Sequence, residues 1–200
     1  SRFSRLMEFQ KVVGIRRNEL KALTGKDIKI DDYGNCYVYV NRGKGGKKQM
    51  QYILPKDIAL VKQTFSGIGE NEPVFTKVEM NNQINLHALR AQHSRDSYFY
   101  YLDKINSNPN IKHSLRSLLI QRWENGHQKL KNESQSKYER QRKSFIYDLR
   151  DETYVLRGTN KVKAITSGMP IEYNRLALMA VSVLNLSHWR LSVTVTNYIL

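Results

Sequence analysis

The sequence has little cysteine, few acidic residues and no long apolar run. Because Cys36 is the single cysteine, a disulfide framework or a cysteine zinc site within the chain is excluded, and we expect a reduced, intracellular compartment. No apolar run reaches the roughly 18 residues that a membrane-spanning helix requires. The longest such stretch, residues 176–184, is interrupted by Ser182. We therefore expect no membrane partner.

The charge balance is strongly basic. The chain of 200 residues carries 33 Lys and Arg against 18 Asp and Glu, a net charge of +15. Such a charge predicts a polyanionic partner, and nucleic acid is the leading candidate. An anionic membrane surface is disfavoured, because the basic residues are scattered among aromatic residues and do not line one amphipathic helix.

Periodicity predicts an α+β fold that is mainly helical. Apolar residues at helical intervals predict two helices within residues 3–23, joined at Val13-Gly14. Residues rich in β-branched and aromatic side chains predict strands at 36–40 and 49–54. With a short strand at 27–30, they form a small antiparallel sheet over about residues 27–54. A basic hairpin tip, residues 41–48, connects the last two strands.

Further helices are expected along the rest of the chain. The predicted ranges are 55 to about 64, 81–102, and an apolar helix over 171–186 that follows a turn at 167–170. Between about 106 and 163 the chain is polar, basic and helix-favouring, and residues 128–143 predict a long solvated helix.

Several side chains are suited to binding and cleaving a phosphodiester. Arg16 and Glu19 are three residues apart, so the carboxylate can hold the guanidinium that would clamp a phosphate oxygen. His87 and Arg90 lie one helical turn apart and supply a possible base and a second guanidinium. Lys44 lies at the hairpin tip, where it can protonate a leaving oxygen or contact backbone phosphate.

Near the end of the sequence, His188 and Tyr198 complete this set. A tyrosine hydroxyl is a poor nucleophile unless a base or a cationic field assists it, and the arginines and histidines would provide that field. The five histidines show no metal-ligand spacing with carboxylates or cysteines, and the acidic residues are dispersed. We therefore expect neither a metal nor another cofactor.

Four motifs in order resemble those of the tyrosine recombinases, the phage-integrase family. Residues 14–23 read Gly-x-Arg-x-x-Glu-Leu-x-x-Leu, which is similar to the box of the first catalytic arginine. The Gly-Lys-Gly around Lys44 resembles the lysine hairpin, and residues 87–90 resemble the His-x-x-Arg box. Leu186-Ser187-His188, followed by Tyr198, is similar to the Leu-Gly-His box and the nucleophile.

The resemblance implies the helical catalytic domain of a site-specific recombinase. Tyr198 would attack a DNA phosphate to form a 3′-phosphotyrosyl link, without a metal or cofactor. Arg16 and Arg90 would clamp the nonbridging oxygens. Lys44 would be the general acid, His87 the general base or proton relay, and His188 a donor to the phosphate.

The resemblance also implies an assembly and a domain organisation. The enzyme would integrate or excise a mobile element or prophage, as a tetramer on double-stranded DNA and a monomer in its absence. Residues 1–200 would form the catalytic domain, without the N-terminal core-binding domain of the family. A type IB topoisomerase-like enzyme and a non-cleaving DNA-binding relative are the alternatives.

Certain positions depart from the family pattern. Ser187 replaces the usual Gly, and Tyr198 follows His188 by one residue more than is commonest, which predicts a terminal helix that starts or bulges differently. Ala91-Gln92-His93 stands where the family has His-Thr, and we assign no role to His93. Because Arg90 and His188 are far apart, we expect a basic helical insertion at about 103–165, which contacts DNA or a protein partner.

Overall fold

The computed structural model describes residues 2–41 and 48–200, which divide between two compact units. The first unit comprises Ser1–Arg95 and Leu184–Ser187, and the second comprises Asp96–Val183 and His188–Leu200. The fold is α+β with helices in the majority, so the coarse class predicted from the sequence is confirmed. The predicted insertion at about 103–165 lies within the second unit.

The first unit contains helices around a three-stranded sheet. Its helices are α1 (Ser4–Val13), α2 (Arg17–Ala22), α3 (Ile58–Phe65), α4 (Lys77–Met80) and the beginning of α5 (Leu86–Ser107). The predicted break between the first two helices is confirmed. Helix α1 ends because Gly14 adopts a left-handed φ of 62° and donates its backbone N–H to Gln10 O at 2.9 Å.

The sheet of the first unit is antiparallel in the order β1 (Ile28–Ile30), β2 (Cys36–Val40) and β3 (Gln49–Ile53). In the register, Ile28 pairs with Val38 and Cys36 pairs with Ile53. Strand β2 buries alternate side chains and leaves the intervening tyrosines half-buried, as the period of two predicts. The sheet expected over residues 27–54 is thus confirmed, apart from the hairpin tip at 42–47, which lies outside the described residues.

The core of the first unit forms where α1 packs on α3 and β3. Phe9 is fully buried, and its ring lies 5.2 Å from that of Phe75 and 6.0 Å from that of Phe65. Aromatic pairs at such distances add to the stabilisation that comes from apolar burial. The core therefore fixes the C-terminal end of α1, from which the Gly14–Arg16 segment emerges.

The second unit is mostly helical. It contains the rest of α5, then α6 (Ile111–Gly126), α7 (Gln128–Glu133), α8 (Gln135–Asp148), β4 (Thr153–Val155), α9 (Gly158–Thr166), β5 (Glu172–Asn174), α10 (Arg175–Ala180) and α11 (Leu191–Thr194). A π-helix, Val181–Asn185, follows α10, and a second π-helical segment, Val195–Ile199, follows α11. Helix α6 packs on both α8 and α10.

Some predicted boundaries in this part of the chain are wrong. Residues 171–186 do not form one apolar helix, since they begin with β5 and end in the π-helix. The single solvated helix expected at 128–143 is two helices, α7 and α8, that meet at Ser134. Helix α5 starts at Leu86 and not near 81, because a turn precedes it in which Ile84 N donates to the Asn82 side chain at 3.0 Å.

Strand β4 was not predicted, because it lies in the segment that the sequence marks as helical. It pairs antiparallel with β5, with Tyr154 opposite Tyr173. The Tyr98 hydroxyl accepts a hydrogen bond from Asn174 N at 3.0 Å, and the Tyr98 ring packs edge-on against Tyr173 at 5.6 Å. These contacts come from a distant helix, so local propensity does not reveal the strand.

Truncation of Phe9 tests the importance of the first core. Phe9→Ala should lower the free energy of unfolding by about 3–5 kcal/mol, because the substitution leaves a cavity between Phe65 and Phe75. Urea denaturation measures this change. Val78→Ala, at a side chain that is 52% exposed, is the control and should stay within about 0.5 kcal/mol of the wild type. An equal, small effect of both substitutions would contradict the importance of this core.

Candidate active site

Arg16 lies at the N-terminus of α2, and Glu19 holds it there. The Arg16 backbone N donates to Glu19 Oε2 at 2.7 Å, and Arg16 Nη1 lies 2.9 Å from Glu19 Oε1. Glu19 is buried, and Gln49 Nε2 of β3 also donates to its Oε1 at 3.2 Å. The Arg16 side chain remains 36% exposed. The pairing predicted from their spacing is present, and it fixes a guanidinium at the surface of the first unit.

Arg90 is 2% exposed and binds the backbone beside this segment. Its Nη1 donates to Gly14 O, two residues before Arg16, and its Nη2 donates to Leu186 O at 3.2 Å. A planar guanidinium that donates to two carbonyls has a fixed orientation. Arg90 thus joins the start of α5 to the ends of two other segments of the first unit.

His93 lies one turn after Arg90 and packs directly on Gly14. A Cβ atom at residue 14 would come within 2.8 Å of the His93 Cγ, so only glycine fits at this position. Burial and, second to it, the positive charge of Arg90 lower the pKa of His93 from 6.5 to about 4, and backbone hydrogen bonding to Lys11 and Asn185 opposes both effects. His93 is therefore neutral near pH 7.

Gln51 is a second buried polar residue that the sequence analysis missed. Its Nε2 donates to Val13 O at 3.1 Å and to Asn185 O at 2.7 Å, and its Oε1 accepts from the Ser187 hydroxyl. Within residues 2–41 and 48–200, Ser187 is the one non-glycine residue with a positive φ, 54°. A glutamine at an inward-facing position of a strand was a signal that could have identified Gln51.

Another predicted residue of the first unit, His87, does not join this buried group. His87 is exposed at the first turn of α5, although it shares the helix with buried Arg90. Lys44 lies outside the described residues. The first unit thus places Arg90 beside the Gly14–Arg16 segment, with His93 and Gln51 as additional buried polar groups.

The second unit brings His188 and Tyr198 together. Their ring centroids lie 6.2 Å apart with an interplanar angle of 29°. The His188 backbone N donates to Ser182 O at 2.8 Å, which fixes the chain before the ring. Tyr198 lies in the π-helical segment Val195–Ile199 and is 7% exposed.

The π-helical segment agrees with the long spacing between His188 and Tyr198. A π-helical turn contains more residues than an α-helical turn, because its hydrogen bonds join residues five apart. The terminal helix, which was expected to start or bulge differently, thus contains a π-helical turn, and its difference from the family pattern stays a prediction. Tyr198, ten residues after His188, lies in this segment and its ring packs against the imidazole.

No protein-family model, curated protein or solved structure matches the chain. Across the two described ranges, no three His, Cys, Asp or Glu side chains are close enough to hold a metal ion. In the same part of the chain, no helix has both the length and the hydropathy needed to cross a bilayer.

The contact between Gly14 and His93 predicts that residue 14 tolerates no side chain. Gly14→Ala should lower the free energy of unfolding by about 3 kcal/mol, because alanine is strained at a φ of 62° and its Cβ would overlap His93. Gly34→Ala is the matched control. It has a φ of 81° with no heavy atom within 4 Å, so its cost should be only about 1 kcal/mol. Equal costs in urea denaturation would contradict the His93 contact.

His93 also predicts a pH dependence of stability. Its pKa is about 4 in the folded protein against 6.5 for an ordinary histidine, so the unfolded chain binds a proton that the folded chain excludes between these values. Stability should be complete above pH 6.5 and fall by on the order of 3 kcal/mol as the pH drops to about 4. Urea titrations of wild type and His93→Gln measure the effect. An unchanged slope in His93→Gln would exclude His93 as its source.

Proposed function

We propose that the chain is the catalytic part of a site-specific DNA recombinase of the tyrosine-recombinase type. The observation that carries the proposal is the packing of the Tyr198 ring against His188 at 6.2 Å. A phenol beside an imidazole combines a nucleophile with a donor to the phosphate that it attacks. The four motifs in order, Arg16 to Tyr198, supply the other groups that such a reaction needs.

In the proposed reaction, Tyr198 Oη attacks the phosphorus atom of a DNA phosphodiester. A bond forms between Oη and phosphorus while the bond to the 5′ oxygen breaks. The proton of Tyr198 passes to His87, and Lys44 gives a proton to the leaving 5′ oxygen. The 5′-hydroxyl of another strand then reverses these steps on the 3′-phosphotyrosyl link. The bond energy is retained in that link, so no nucleotide cofactor is consumed.

The two arginines would stabilise the charge that develops on the nonbridging oxygens. Both have fixed guanidiniums, Arg16 through Glu19 and Arg90 through the carbonyls of Gly14 and Leu186. Groups that are already oriented stabilise a transition state without being reorganised during the reaction. Arginines with a fixed orientation are better suited to a catalytic role than flexible arginines on the surface.

The backbone supports the resemblance at two of the places where the sequence departs from the family pattern. Ser187 stands where the family has glycine, and its φ of 54° lies in the region that favours glycine. The extra residue before Tyr198 is accommodated by the π-helical segment. In addition, the net charge of +15 suits a DNA substrate.

A non-cleaving DNA-binding relative is the second candidate. The burial of Tyr198, only 7% exposed, favours it, because a nucleophile must reach its phosphate. Both candidates bind DNA with strong salt dependence, so binding does not distinguish them. Formation of a covalent protein–DNA adduct distinguishes them.

The deciding experiment detects a covalent protein–DNA adduct. Duplexes that the protein selects from a random-sequence pool are nicked near each phosphate in turn, so that a cleaved strand is lost and the adduct accumulates. On a denaturing gel the wild type should show the adduct, and Tyr198→Phe should reduce it at least about a thousandfold, because the attacking oxygen is absent. Tyr147→Phe, at an exposed ring of the same unit, is the control and should react like the wild type. A wild type that binds the selected duplexes but gives no adduct would contradict cleavage and favour the second candidate.

A further inference from the structure

The residue after His188 is anchored in an aromatic cluster of the second unit. Trp189 lies 5.3 Å from the His127 ring and 6.2 Å from the Phe145 ring, between centroids. His127 in turn stacks on Trp123 at 4.0 Å, and its Nδ1 lies 2.6 Å from Trp123 O. The His127 and Phe145 rings that contact Trp189 both come from the basic helical segment at 103–165.

The same helical segment contacts the chain just before Tyr198. Asn160 of α9 donates from its Nδ2 to Thr196 Oγ1 at 2.9 Å. Thr196 is exposed, so its hydroxyl is not required to fill the core. Residues 103–165 therefore hold the terminal segment at two points, one beside His188 and one two residues before Tyr198.

We propose that the helical segment at 103–165 positions the His188–Tyr198 pair, with His127 and Phe145 holding Trp189, and Asn160 holding Thr196. The inference rests on the proposed function, because that function gives His188 and Tyr198 a DNA phosphate on which to act. His127, Phe145 and Asn160 are positioning residues that act through their neighbours. The segment thereby has a role apart from the DNA or protein contact expected from its charge.

The segment that carries His188 and Tyr198 needs outside contacts to hold its two rings in place. The pair is built on a short helix, a π-helical segment and a residue with a left-handed φ, which together give little intrinsic rigidity. Ring contacts fix the Trp189 side chain, and hence the backbone at the adjoining His188. A displacement of about 1 Å at a reacting group can reduce a rate by about a hundredfold.

The test uses His127→Ala and Asn160→Leu in the full chain. Each removes one of the two contacts, and neither residue belongs to the proposed catalytic set. Gln128→Ala and Thr159→Ala are matched controls at exposed neighbouring positions. A comparison of Trp189→Phe with Trp189→Ala tests whether an aromatic ring at residue 189 is enough to keep the reaction rate.

Two readouts separate positioning from folding and from the proposed function. The first is the single-turnover rate of adduct formation at saturating DNA. It should fall at least about tenfold in His127→Ala and Asn160→Leu, with DNA affinity unchanged within about twofold, and Trp189→Phe should restore most of what Trp189→Ala loses. The second is hydrogen exchange of the amides in residues 188–198, which should accelerate about tenfold without a change in the urea midpoint.

Together, the two readouts show which proposal each outcome contradicts. A wild type that forms no adduct refutes the proposed function, and hydrogen exchange alone then decides whether residues 103–165 hold the terminal segment. Wild-type exchange at residues 188–198 in both variants would overturn the positioning proposal. Faster exchange with an unchanged adduct rate would overturn it too, because the contacts would then have no effect on the reaction.

Discussion

The first unit depends on buried side-chain donors that bind backbone carbonyls at chain ends. Gln51 binds the carbonyls of Val13 and Asn185, and Arg90 binds those of Gly14 and Leu186. Each carbonyl lies where a regular helix stops or the chain turns, so it would otherwise be buried at a cost of about 1–3 kcal/mol. Each buried carbonyl therefore needs its side-chain donor, and each buried donor needs its carbonyl, to avoid an unsatisfied polar group. The absence of a side chain at Gly14 lets His93 complete this arrangement.

This constraint links folding to the proposed chemistry. The contacts that stabilise the Gly14–Arg16 segment are also those that orient Arg90, and Glu19 satisfies the N-terminus of α2 while it orients Arg16. In the second unit, Ser182 O accepts from the backbone N of His188, and the adjoining Trp189 packs against the His127 ring. The arginines and the tyrosine of the proposed site are thus contacted by groups to which no reaction step is assigned.

The regular elements of the first unit could be predicted from sequence because their signals are local. Alternation over 36–40 and 49–53, and a glycine after Val13, indicate strands and a helix end without reference to the rest of the chain. The pairing of Arg16 with Glu19 is also local. By contrast, strand β4 and the buried roles of Gln51 and His93 depend on partners many residues away. Burial of His93 depends on its approach to Gly14, which no spacing in the sequence encodes.

The proposed mechanism requires that Tyr198 form a covalent link to DNA without a metal. Mass spectrometry of protein treated with bound DNA in excess chelator, and then digested with nuclease and trypsin, measures that link directly. Trypsin cuts after Arg190, so Tyr198 falls in the peptide that begins at Leu191. We expect this peptide to carry a nucleotide on its tyrosine. A nucleotide on another residue, or none on any peptide from protein bound to its selected DNA, would contradict the claim.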